Sequence, residues 1–195
     1  SLPMTPNIFK TMRGPLDNTA ALLGAAAAGF AVGLVANLGR KAAVQSLTTL
    51  KGQWDEGLKA EHRLTMKLFD ALESTDESDA RKRKALLVQL QHALAKHAFE
   101  EENVVYPAMR DHGQIVEADQ LVHDHGYVKQ YLFDLSEMDA ADPAWIAKVR
   151  EFRAEIEAHV EEEEQRLFPR LKAALGDEGN KHVTAVMNKA GFAAA

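Results

Sequence analysis

The chain has 195 residues, 46% hydrophobic and 27% charged, values that fit one globular domain with an added helix or tail. Its formal net charge of −6 argues against a nucleic-acid partner, which needs a basic stripe. The absence of cysteine excludes disulfides, zinc–thiolate and iron–sulfur sites, and a thiol nucleophile.

Residues 1–18 hold three of the six prolines and show no periodicity, so they read as an irregular lead, with Met4 as the native start. Residues 19–50 read as an Ala/Gly-rich helical segment. Within it Ala21, Ala25, Gly29 and Gly33 recur every four residues and form a stripe that lets another helix approach closely. Packing in a homodimer or against the rest of the chain is the favoured reading. Membrane contact is the alternative, because Thr19–Gly39 is uncharged, has the length of a span, and is followed by Arg40-Lys41. Alanine and glycine drive insertion only weakly. The preceding Asp17 and prolines, with no cleavage pattern after the segment, argue against a signal peptide. The expected location is cytoplasmic, with membrane association as the alternative.

Four amphipathic stripes follow. Leu58, His62, Met66, Phe69 and Leu72 keep helical spacing, as do Leu87, Leu90, Leu94, His97, Glu101 and Val105. The third runs Leu121, His125, Val128, Leu132, Leu135, and the fourth Val149, Phe152, Ile156, His159, Glu163, Leu167. The stretches STDESD and RDHGQ break the first three apart, and Asp142-Pro143 supplies an N-cap and first helical residue for the fourth. The expected fold is all-α: an antiparallel four-helix bundle over residues 52–175, preceded by the extra N-terminal helix. Residues 176–195 form a tail, with Gly176–Gly179 as a cap and a short helix near Lys181–Lys189.

The bundle contains a repeat. HAFEEENVVYPAMR from His97 and HVEEEEQRLFPRLK from His159 share one pattern, and His62 and His125 precede them by 35 and 34 residues. Each repeat places a His and a Glu four residues apart, about 40° round a helix, so both share a face. That face is the apolar stripe, where Leu or Ile is expected. Burying carboxylates and imidazoles there costs several kcal/mol unless they are paired or bound to a metal. A lone histidine on an apolar stripe is usually a hydrogen-bonded core residue. Four such histidines, two with a glutamate at i+4, point instead to a shared cation. Nitrogen and oxygen donors together suit iron, manganese or zinc, and two carboxylates among four imidazoles suggest two bridged metals. The expected ligands are His62, His97, Glu101, His125, His159 and Glu163. Glu100, Glu162 and His123 stand in reserve, and Glu161 and Glu164 point away. His92, His112 and His182 read as surface residues.

In EHRLTMKLF, HAFEEENVVYP, DHGYVKQYL and HVEEEEQRLFP the sequence resembles the hemerythrin-like, or HHE cation-binding, family over about residues 52–175. The resemblance implies a non-haem di-iron centre, with the four histidines as terminal ligands and Glu101 and Glu163 as bridges. Oxygen-carrying members have a second histidine on helix three, where this chain has Lys129, and His-x4-Asp on helix four, where it has His159-x3-Glu163. The pattern is closer to the bacterial iron-centre repair and nitric-oxide-responsive branch, although the cysteine-bearing N-terminal domain of that branch has no counterpart here. The ligand set leaves open positions even with an oxo or hydroxo bridge between two irons. That favours binding or sensing of O2, NO or peroxide. Turnover of peroxide or nitrogen oxides and iron storage, donation or repair are the alternatives, and whether the chain is an enzyme stays open. Iron is expected ahead of zinc or manganese.

Overall fold

The structure, a computed structural model, describes residues 52–194. The N-terminal segment with its Ala21, Ala25, Gly29, Gly33 stripe lies outside the described residues. The described elements are α1 (Trp54–Glu73), a 3₁₀ turn (Glu77–Asp79), α2 (Ala80–Glu100), a π-helical turn (Glu101–Val105), α3 (Tyr106–Asp111), α4 (Ile115–Glu137), α5 (Pro143–Glu162), a second π-helical turn (Glu163–Leu167) and α6 (Phe168–Ala194). There is no strand among the described residues.

The breaks fall where local chemistry places them. Asp76 accepts from the Ser78 amide and Asp79 reaches back to the Asp76 amide, a capping box that starts the second rod. Gly113, at φ 80°, turns the chain where a side chain would be strained. Asp142 accepts from the Ala144 amide at 2.7 Å, with Pro143 at the first helical position, as the sequence predicts for α5. Gly176, at φ 61° and ψ −176°, interrupts α6, and a second helical piece resumes at once after it. Residues 177–179, expected in the cap, are helical, and the last helical piece runs on to Ala194, longer than the short helix expected near Lys181–Lys189.

The segment from α2 through the first π turn to α3 is one continuous rod, as is the segment from α5 to the start of α6. With α1 and α4 they make the antiparallel four-helix bundle. Two apolar clusters hold it together. One gathers Trp54, Leu58, Val105, Met109, Leu121, Phe168 and Leu171, with Val183 and Met187 of the last helical piece laid over it. The other gathers Phe69, Leu72, Leu90, Leu94, Leu135, Trp145, Val149 and Phe152. Trp54 meets Phe168, and Phe69 meets Phe152, edge to face with ring centroids 5.3 Å apart in each pair. Every rod passes from one cluster to the other, α1 and α4 in one direction and the other two in reverse. At the crossing each rod carries its histidine. The polar residues thus form a layer between two apolar ones. Each large apolar side chain so buried contributes roughly 1.5–3 kcal/mol, and their sum lets the fold carry a charged layer that costs several kcal/mol per ion.

At the end remote from the centre's π turns, buried Arg83 pins two loops. It donates to the Thr75 hydroxyl and carbonyl and, at 2.7 Å, to the Ala140 carbonyl, and it lies over the Trp145 ring.

Candidate metal centre

The polar layer brings together all six expected ligands. His62, His97, Glu101 and Glu163 form one group of converging donor atoms, and Glu101, His125 and His159 form another. The Nε2 atoms of His62 and His97 stand 2.9 Å apart. Glu101 Oε2 lies 3.3 Å from His97 Nε2 and 3.4 Å from His125 Nε2, so one carboxylate faces both groups. Glu163 does the same with its two oxygens: Oε2 is 3.4 Å from His62 Nε2, and Oε1 is 3.5 Å from His159 Nε2. Both carboxylates are completely buried.

This donor set fits metal cations. Glu101 Oε1, Glu163 Oε2 and both ring nitrogens of His159 are buried without any hydrogen-bond partner. Buried polar atoms are rarely left so, and several around one point suit a cation. Protons stand in for it in the metal-free chain. Burial alone would push Glu101 up, but the imidazoles of His97 and His125 hold it well below the usual carboxylate range. Burial would lower His97, but Glu101 and Glu61 carry it well above the ordinary imidazole value. Metal ions bound here would replace those protons.

The reserve positions lie elsewhere. Glu100 accepts from Lys96 at 2.8 Å, Glu162 pairs with Arg166 one turn on, and His123 is exposed against Tyr127. None of the three joins the converging atoms. His92, His112 and His182 are exposed.

Three features escape the sequence pattern. The first is Tyr106. Its hydroxyl lies 3.0 Å from Glu101 Oε2, 3.0 Å from Glu163 Oε1 and 3.2 Å from His125 Nε2, so its single proton can go to only one of them at a time. Residues five apart sit about 140° apart on an α-helix, which would send Tyr106 away from Glu101. The π turn removes that offset: the Tyr106 amide bonds back five residues to the Glu101 carbonyl. The second π turn does the same from Phe168 to Glu163, and Phe168 stacks on His62. Burial and the two carboxylates push the Tyr106 pKa well up, so it remains a hydroxyl donor.

The second is an outer ring of carboxylates. His62 Nδ1 meets Glu164 at 2.8 Å, His97 Nδ1 meets Glu61 at 3.1 Å, and His125 Nδ1 meets Glu102 at 2.9 Å. His159 Nδ1 has only Asp124, at 3.9 Å. Carboxylates in this place fix the tautomer and orientation of ligating imidazoles. Glu164, which helical spacing sets aside, is thus turned away from the converging atoms yet engaged with the far nitrogen of His62. The signal was in the repeat: Glu61-His62 matches Asp124-His125, and Glu102 matches Glu164. The third is Lys96, buried beside Glu61 at 2.5 Å and Glu100. Burial pushes Glu61 up, but His97 and Lys96 overcome it and bring it to about 2. Glu100 is driven up to about 7 by burial and by Glu61, against the pull of Lys96.

The hemerythrin HHE cation binding domain family matches residues 55–186, the stretch that carries every one of these side chains. The chain belongs to that family. A hemerythrin-like protein of Schizosaccharomyces pombe is 32% identical over 95 residues, a match covering 46% of each chain, so the matched stretch spans under half of that relative. The crystal structure of an HHE cation binding domain-containing protein from Mycobacterium kansasii superposes with a TM-score of 0.58 at 23% identity, covering 72% of this chain and 88% of that one. At that identity the likeness speaks for the fold. Among the described residues of this HHE protein no helix is long and apolar enough to cross a membrane.

Proposed function

We propose that the chain holds two iron ions in this layer, bridged by Glu101 and Glu163 and capped by His62 and His97 on one side and His125 and His159 on the other, and that it binds a small ligand such as O2, NO or peroxide. The observation that carries this reading is a cavity of about 20 Å³ over the imidazoles. His62, His97, His125 and His159 line it together with Thr65, Leu94, Val128 and Ile156. That space holds about one water-sized molecule. Its largely apolar lining suits a small uncharged guest.

Iron, when bound, would supply one-electron redox chemistry and coordination positions for the ligand. The chain's own residues do the rest. The outer carboxylates orient three of the four imidazoles. Tyr106 donates to either bridging carboxylate and fixes its rotamer. Phe168 and the apolar clusters exclude bulk water. Tyr106 also favours a second reading, in which peroxide or a nitrogen oxide is turned over, because a buried hydroxyl beside both carboxylates can donate a hydrogen bond to an oxygen of the guest.

Metal analysis and an optical spectrum of protein purified aerobically without added metal test the proposal. Two irons per chain with near-ultraviolet charge-transfer bands, perturbed by NO, are expected. Colourless protein carrying zinc would overturn the redox reading. Steady-state consumption of peroxide separates turnover from binding.

A further inference from the structure

Lys96 immediately precedes His97, and Ala158 holds the matching place before His159. In the first half of the bundle the buried Lys96 ammonium sits between Glu61 and Glu100, 2.5 Å and 2.8 Å from their oxygens. The matching carboxylates of the second half are Asp124 and Glu162, and Ala158 puts no cation between them. Ala158 is exposed, and a cleft of about 150 Å³ opens there between α4 and α5. Asp124, Glu155 and Glu162 line it, Tyr127 and Tyr131 flank it, and His159 forms part of its wall. His159 is nine-tenths buried, with 9% of its side chain exposed. Neither of its ring nitrogens makes a hydrogen bond. His62, His97 and His125 are each held by an outer carboxylate, so His159 is the one ring among the four that no hydrogen bond restrains.

We propose that this cleft is the path by which divalent transition-metal cations reach and leave the centre, with Asp124, Glu155 and Glu162 as receiving carboxylates and His159 as the first imidazole met. The inference rests on the di-metal reading above. The first half shows what this placement of carboxylates holds, namely a cation, supplied there by Lys96. The second half repeats the carboxylates and leaves the cation to be supplied from outside. Arg166 occupies part of Glu162 and Gln120 donates to Asp124, which leaves Glu155 as the exposed receiving charge. A cleft of this size holds several waters, enough for an ion still shedding its hydration shell. A cleft lined by one sign of charge concentrates the opposite ion and speeds its capture by tenfold or more at low salt. In the first half the Lys96 ammonium already stands between the matching carboxylates.

The test is the rate at which the full chain, stripped by chelator, takes up Co²⁺ in a stopped-flow instrument, and the rate of its release to excess chelator. Ala158→Lys puts an ammonium where Lys96 has one. It should slow both rates by about tenfold, the lower end of such electrostatic capture, with the final metal content unchanged. Glu155→Gln, on the exposed surface, should slow uptake severalfold and flatten its dependence on salt. Wild-type rates in both variants would overturn the path while leaving the centre intact. A wild-type chain that takes up no metal would bring down the di-metal reading, and the path with it.

Discussion

Tyr106→Phe is the substitution that most directly tests how the polar layer is held. The change removes one oxygen and nothing else, and Phe168 occupies the matching place in the other half, so a phenyl ring suits the site. In the metal-free chain the lost hydroxyl is a donor 3.0 Å from two buried carboxylates. A hydrogen bond to a charged group contributes about 1.5–3 kcal/mol, and stranding its buried acceptor sets the cost. We expect the metal-free variant to lose about 2 kcal/mol, which for a chain of this size lowers Tm by roughly 4–8 °C. In the loaded protein the same oxygens face the metals, so the loss should fall to less than about half of that. By linkage the variant then binds metal more tightly relative to its own metal-free form. Thermal unfolding followed by circular dichroism, with and without metal, reads both values. Equal destabilisation of the two forms would refute the reasoning, because it would mean that hydroxyl and metals do not share those oxygens.

Glu61→Gln should weaken metal binding by about 10–100-fold through loss of orientation of His97, while leaving the helical content intact; isothermal titration reads the first and circular dichroism the second. Metal affinity should fall as pH falls. His97 is held protonated well above the ordinary imidazole value in the metal-free chain, and a ligating imidazole must first lose that proton. Calorimetry in buffers of different ionisation enthalpy should register protons released on binding, and no release would contradict the exchange of protons for metal. Gly29→Leu should abolish self-association if the Ala21, Ala25, Gly29, Gly33 stripe joins two chains, and an unchanged mass in solution would count against that packing.

Much of this protein is legible in one dimension. The stripes of α1, α2, α4 and α5 show in the sequence because an amphipathic helix writes its buried face every three to four residues. The histidines show because each stands on that face where an aliphatic residue belongs. Asp142-Pro143 and Gly176 show because capping and positive φ are local demands. The outer carboxylates were harder. Glu164 and Glu102 follow Glu163 and Glu101 in runs of glutamate that look solvated, and only the repeat pairs them with the other half.

What the sequence by itself determined is the inventory: four helices, their caps, and six donors placed on buried faces by helical period. Only the tertiary structure decided how those donors meet. The π turns at Glu101 and Glu163 break the helical period at the place where it matters, so Tyr106 reaches the centre against the arithmetic of the helix. The asymmetry between a half filled by Lys96 and a half left open at Ala158 belongs to packing too. Spacing records which side of a helix a residue occupies, but not what stands opposite it when four helices close around a charged layer.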